Sequence, residues 1–410
     1  MFFNLIQTIS LTLSSVAPAS APLFPNDSID RWHIVGPEVA FTIEDGVLTG
    51  EGKERSNSFL TSDRTYSDFV LTVDVKVIRG NSGIQIRSNE KGNRLIGYQI
   101  EIDPSERAWS GGLYDEGRRT WLQPPTEDVR DTFKLGEWNT YVITCIGPRI
   151  KATVNGKTTT NFMDFMDLDG HIGFQVHSGD CKVMWRDATI QDLSIAANID
   201  GTIVTYNTTP LFNGQNLEGM TNVGGGTWTV EDGAILGKQL VTDEVTGLLW
   251  IDKPYDNFAL KLKYKIDEGN SGFFFRAEQI PNDNTGVRGI QVEVDRLPDC
   301  GGLYESGGRG WVSKPTFQYS KYDEWNEMML FTDGNQVNVW LNGVLVSDAN
   351  TFPLMEKRAS EGFLNNFAFQ LHKRQAVTVR FKDVEIMSPT IQKDDGRTRN
   401  GWLGSGYLNQ

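Results

Sequence analysis

Two strings of polar residues in this chain have the types and spacing to do chemistry. Gln99, Glu101 and Asp103 alternate with Ile100 and Ile102, and Gln291, Glu293 and Asp295 alternate in the same way with Val292 and Val294. In an extended strand residues two apart face one side, so each string sets two carboxyl groups and a carboxamide together. Positioned carboxyl groups serve as general acids and bases. Gln175-Val176-His177 and Gln370-Leu371-His372 add an imidazole, the side chain that titrates near neutrality without perturbation; two of the four histidines occupy this one position. Arg87 and Arg276 close glycine-led strings, and Arg119 and Arg309 stand two residues before Trp121 and Trp311. A guanidinium beside such groups can steady developing negative charge. The plainer alternative is structural: a solvated strand face, Arg87 merely pairing with Glu101, and Trp138 and Trp325 in the core.

The elements that carry these residues occur twice. Asn81-Ser82-Gly83-Ile84-Gln85-Ile86-Arg87 returns as Asn270-Ser271-Gly272-Phe273-Phe274-Phe275-Arg276, and Gly111-Gly112-Leu113-Tyr114 as Gly301-Gly302-Leu303-Tyr304. Glu137-Trp138-Asn139 matches Glu324-Trp325-Asn326, and Asn155-Gly156 matches Asn342-Gly343, always in the same order. A chain of 410 residues exceeds what one core usually serves, and the repeat divides it. The expected domains are 22–196 and 205–390, with a joining segment at 197–204 and a polar tail at 391–410.

Within each copy, runs such as Phe69 to Val77 and Phe258 to Ile266 alternate with the period of half-buried strands. The two Asn-Gly pairs lie between strand-like runs and mark two-residue hairpins, whose turn positions both need positive φ. Many strands, many turns and scarce helical periodicity predict an all-β fold, two tandem jelly-roll β-sandwiches. Ile100 and Ile102 then belong to the core, which leaves the Gln-Glu-Asp face to solvent or to a cleft.

The repeated frame, Asn-Ser-Gly through a distal Arg, the Gln-Glu-Asp strand, Gly-Gly-Leu-Tyr, Glu-Trp-Asn, the Asn-Gly hairpin and the late Gln-x-His, resembles the 3-keto-disaccharide hydrolase domain family over nearly all of both copies. The resemblance implies a sandwich of the concanavalin-like lectin and glucanase type. It also implies a glycoside or oligosaccharide substrate whose sugar C3 hydroxyl has been oxidised to a ketone. Such a ketone acidifies the C2 proton, so elimination can break the C1 glycosidic bond and water can add afterwards. That chemistry needs a base, an enolate stabiliser and an acid, and the candidates are His177, Glu101, Asp103 and Arg87, with His372, Glu293, Asp295 and Arg276 in the other copy. His177 or Glu101 would be the base, Arg87 or a bound metal the enolate stabiliser, and Asp103 the acid. Gln99, Arg119, Trp121 and Gln175, with Gln291, Arg309, Trp311 and Gln370, would contact the sugar. A divalent ion held by Glu, Asp and His suits enolate chemistry, although no residue spacing marks its site. Two other readings stay open: a two-carboxylate glycosidase, which leaves His and Arg without a task, and a non-catalytic tandem lectin gaining avidity from two sites. Copy one keeps Gly179 after its histidine where copy two has Lys373-Arg374-Gln375, which favours copy one as the active one.

A net charge of −14 without a basic block excludes the electrostatic footprint of a nucleic-acid binder. Residues 1–21 are apolar and end in Ala17-Pro18-Ala19-Ser20-Ala21, which predicts a signal peptide and a periplasmic or secreted protein. That segment has no Lys or Arg, and its alternative is an apolar first strand or helix. No later run is long and apolar enough to span a membrane. Cys145 and Cys181 share a copy and could pair in an oxidising compartment. The oligomeric state is not encoded in these patterns.

Overall fold

The computed structural model describes residues 19–194, 203–251, 253–280, 286–351, 366–392, 398–400 and 402. Nearly all of the expected signal peptide and most of the joining segment and tail lie outside these residues. The described chain forms four antiparallel sheets, two per copy. In the first copy the front sheet runs, edge to edge, Thr120–Gln123, Leu113–Glu116, Leu95–Ile102, Ser82–Glu90, Gly170–Val176, Ser58–Tyr66 and Trp32–Val35. The back sheet runs Lys157–Met163, Arg149–Val154, Asn139–Ile146, Phe69–Arg79, Cys181–Asp192, Val47–Gly52 and Ala40–Glu44. The second copy repeats both orders strand for strand, its front sheet centred on Ser271–Gln279 and Val287–Val294. The jelly-roll sandwich expected from the strand periodicity is thus present twice.

The alternation does its work at the sheet interface. Ile84, Ile86, Tyr98, Ile100 and Ile102 of the front sheet pack on Leu71, Val73, Val75, Tyr141, Val183 and Trp185 of the back sheet. Both Asn-Gly turns are two-residue hairpins, with Asn155 and Gly156 at φ 48° and 80° and Asn342 and Gly343 at 51° and 81°. The Asn side chains also donate to Asn139 and Asn326, so the Glu-Trp-Asn string serves to tie a loop to the hairpin. Trp138 and Trp325 are not in the core. They are half-buried outside it, under Arg186 at 4.3 Å and Lys382 at 4.1 Å. Cys145, Cys181 and Cys300 are buried and unpaired.

The copies meet through their back sheets. Ile146, Met163 and Leu193 pack on Ala259, Met329, Phe331, Trp340 and Trp402, and Trp340 donates its indole N–H to the Asn161 carbonyl at 2.9 Å. Both front sheets therefore face away from this contact. No helix among the described residues is long and apolar enough to cross a membrane.

Candidate functional site

The outer face of the first front sheet carries the polar string, and the Asn-Ser-Gly motif explains how it is held. Asn81 donates to Glu101 Oε1 at 3.0 Å, and Ser82 ties the next strand by donating to the Gln175 carbonyl at 2.7 Å. Gly83 lies opposite Glu101, and a Cβ there would stand 2.3 Å from the Gln99 side chain. Glycine is required so that Gln99 can fold across its neighbour and donate to Glu101 Oε2 at 2.9 Å. Gln85 and Gln175 each donate to Gln99 Oε1 at 3.0 Å. The amide network fixes both Glu101 oxygens. The same construction recurs around Glu293, which accepts from Asn270 and from Gln291.

This face is covered rather than solvated: Gln99, Glu101 and Asp103 are buried. Arg107, absent from the residues the sequence points to, lies across it. Its guanidinium contacts Glu101 at 3.5 Å and Asp103 at 2.8 Å, and stacks 4.8 Å from Trp109 and 5.0 Å from Trp121. Tyr114 meets Trp121 edge-on at 5.1 Å. Burial pushes the Glu101 carboxyl above its ordinary pKa, with the Asn81 and Gln99 hydrogen bonds opposing the shift. Burial acts the same way on Asp103, but bonds from Ser105 and Arg107 outweigh it and hold that carboxyl below its ordinary value. Two carboxyl groups two residues apart are thus pushed in opposite directions: Glu101 is suited to carrying a proton and Asp103, the acid expected from the sequence, to staying ionised.

On the same side a cavity of about 360 Å³ is lined by Ser56, Asn57, Phe59, Arg94, Leu95 and Glu116. Glu116 is raised by burial, against the charges of Arg94 and His177, which places His177 within electrostatic reach of the cavity wall. The His177 Nδ1 lies 3.0 Å from the Ser178 carbonyl. A proton on Nδ1 donated there leaves Nε2 as the basic nitrogen. His177 is half-buried at the end of the strand that carries Gln175.

Four arginines expected at the site are elsewhere. Arg87 is fully buried at a β-bulge, φ 46°, and donates to the Ser67 carbonyl at 2.8 Å, the Gly147 carbonyl at 2.6 Å and Asp68 at 3.2 Å. It pairs with Asp68 and not with Glu101. Arg276 is equally buried and donates to the carbonyls of Asp256 at 3.1 Å and Gly334 at 2.6 Å. Each is a structural clamp. Arg119 binds Asp115 and Asp164, and Arg309 binds Glu305 and the Thr351 carbonyl. A bulge turns each Arg87-type side chain off the outer face, and the turn before each site tryptophan points its arginine at the sheet edge.

In the second copy Gln291, Glu293, Asp295, Tyr304, Trp311, Gln370 and His372 occupy the equivalent places, but the recess is different. Leu248, Trp250, Phe274, Val287 and Ala368 form an apolar cluster. There the first copy has Phe59, Thr61, Gln85, Leu95 and Gly173, and Glu116 is replaced by Ser306. Burial pushes Glu293 up to about 8 and Asp295 to about 6, the latter beside Asp299. Among the described residues no three His, Cys, Asp or Glu side chains are grouped to hold a metal ion.

The family model described as 3-keto-alpha-glucoside-1,2-lyase-like domain matches residues 19–191 and 207–387. No curated protein matches the chain. Among solved structures it is similar to a candidate glycosyl hydrolase from Parabacteroides distasonis ATCC 8503, with 25% identity over 44% of this chain and 92% of that one, TM-score 0.33. It is also similar to the carbohydrate-binding module CBM66 from Bacillus subtilis, with 17% identity over 39% and 95%, TM-score 0.31. A Bacillus subtilis protein of unknown function with a galectin-like fold aligns at 14% identity over 45% and 97%, TM-score 0.36.

Proposed function

We propose, from the premise that this chain belongs to the 3-keto-alpha-glucoside-1,2-lyase-like family, that its first copy cleaves the glycosidic bond of 3-keto-glycosides. The observation that carries the reading is the buried Glu101, raised in pKa and held by Asn81 and Gln99 beside Arg107. His177 Nε2 takes the C2 proton, and the electron pair moves onto the C3 oxygen as an enolate. Arg107 steadies that charge. The enolate then reforms the ketone as the C1–O bond breaks, leaving a C1=C2 double bond, and Glu101 gives its proton to the departing oxygen. Water adds hydroxyl to C1 and a proton to C2. Trp121 and Tyr114 supply the platform for the ring, and no step is routed through a metal.

The first copy's cavity with Glu116 and Arg94 in its wall, and the apolar cluster at the equivalent strand positions of the second, support placing catalysis in the first. The apolar 1–21 segment supports export to the periplasm or beyond. The test is sugar release by the purified chain from a 3-keto-glycoside and from its unoxidised parent, with and without chelator. Cleavage of the keto compound alone, indifferent to chelator, is expected. Cleavage of both compounds would favour an ordinary two-carboxylate glycosidase. Binding without cleavage of either would leave a lectin.

A further inference from the structure

The second copy has an apolar cluster at the strand positions that border the first copy's recess, and it carries a cation over its site tryptophan from a different place in the chain. In the first copy that cation is Arg107, in the loop after the Glu101 strand. The corresponding loop of the second copy, between Asp295 and Gly301, is shorter and has no Arg at that place. Lys314, which stands where the first copy has Pro124, takes over: its ammonium lies 4.8 Å from the Trp311 ring and 3.3 Å from Asp299. A cation restored by a non-equivalent residue points to a demand on that spot beyond inheritance.

The surroundings of Lys314 have the parts of a sugar platform. Tyr304 and Trp311 meet edge-on at 5.5 Å and are 36% and 37% exposed. Flat, partly exposed rings offer the apolar face of a sugar a place to stack, while charged groups at the edge meet its hydroxyls. Gln370 adds an open acceptor on the same face, as Gln175 does in the first copy. It lies across Gly272 from Glu293, it is 7% exposed, and its carboxamide oxygen is buried without a hydrogen-bond partner. A buried acceptor left open on a sheet face is costly unless a donor reaches it.

We propose that the second copy is a non-catalytic saccharide site, binding a neutral, unoxidised sugar ring across Trp311 and Tyr304 with its hydroxyls on Lys314, Asp299 and Glu293. The apolar cluster of Trp250 and Phe274 stands beside this face where the first copy has Thr61 and Gln85, so the second copy offers the ring fewer polar partners there. With the back sheets joined, the two front faces point apart, so this site holds a separate part of a glycan from the one being cleaved. The inference rests on the chain being carbohydrate-active, and not on which bond it cleaves.

The experiment is titration calorimetry of the full chain with two unoxidised probes, maltohexaose and cellohexaose, beside turnover of a 3-keto-glucoside. The wild type is expected to bind one probe, and Trp311→Ala to weaken that binding at least about tenfold with turnover held within about twofold. Trp311→Tyr, which keeps a ring, should restore most of the affinity, and Trp121→Ala should lower turnover. The inference is overturned if neither probe binds at about 10 mM, if Trp311→Ala leaves binding unchanged, or if it lowers turnover as far as Trp121→Ala does. Trp311-dependent binding in a chain that cleaves no keto-glycoside would sustain the inference and sink the lyase reading alone.

Discussion

Replacing Arg87 by Met should destabilise the protein without touching its chemistry, whereas the same change at Arg107 should cut turnover and cost less stability. Arg87 and Asp68 form an ion pair with side chains 0% and 1% exposed. Removing the guanidinium strips the Ser67 and Gly147 carbonyls of donors and leaves Asp68 buried with only the Gly147 N–H and the Tyr206 hydroxyl. Breaking a buried pair from one side costs about 3–5 kcal/mol, because the other charge stays behind. For a domain of this size that corresponds to a fall of roughly 6–20 °C in Tm. Arg107 is half-exposed and water can reach the carboxylates it leaves, so Arg107→Met should lower Tm by less than Arg87→Met does. Turnover of a 3-keto-glycoside should fall about 10²–10³-fold, as for loss of one preorganised charge stabiliser. The assays are thermal melting and initial rates well below the lower Tm. A melt of Arg87→Met close to wild type, with turnover abolished, would refute the reasoning and return Arg87 to the active site.

Three further outcomes follow from the same geometry. His177→Gln should lower turnover about 10²–10⁴-fold and His372→Gln by less than about twofold, measured on the same substrate; equal losses would contradict catalysis in the first copy. Glu293 is held at about 8 against an ordinary 4.5. Its folded pKa is raised, so its contribution to stability is full below about 4.5 and is lost as pH rises to about 8, by up to about 1.4 kcal/mol per pH unit. Glu293→Gln should flatten that slope in urea midpoints across the window, and an unchanged slope would refute the assignment. Phe274→Ala should cost about 3–5 kcal/mol, read by urea denaturation, since the ring is fully buried among Leu248, Trp250 and Val287; a cost below about 1 kcal/mol would mean that the second recess is open.

Much of the architecture is a local property and was legible in the residues. Period-two alternation separates Ile100 and Ile102 from Gln99 and Glu101 whatever the rest of the chain does, and Asn-Gly favours the tight hairpin by its own φ preference. The repeat supplied the two domains, and the Asn-Ser-Gly string marked the place where Glu101 and Glu293 are held. Alternation assigns a side chain to a face only while the strand stays regular. The bulges at Arg87 and Arg276, each at positive φ, send those side chains among carbonyls from distant segments, at Ser67 and Gly147 or at Asp256 and Gly334. Arg107 sits in a loop with no period to read, and its place is set by two tryptophans and two carboxylates that meet only when the front sheet closes. The sequence alone therefore determined the strands, the hairpins, the duplication and the carboxamide-carboxylate face. The tertiary structure decided which cation serves that face and which recess stays open, because both depend on contacts between segments far apart in the chain, where no local preference acts.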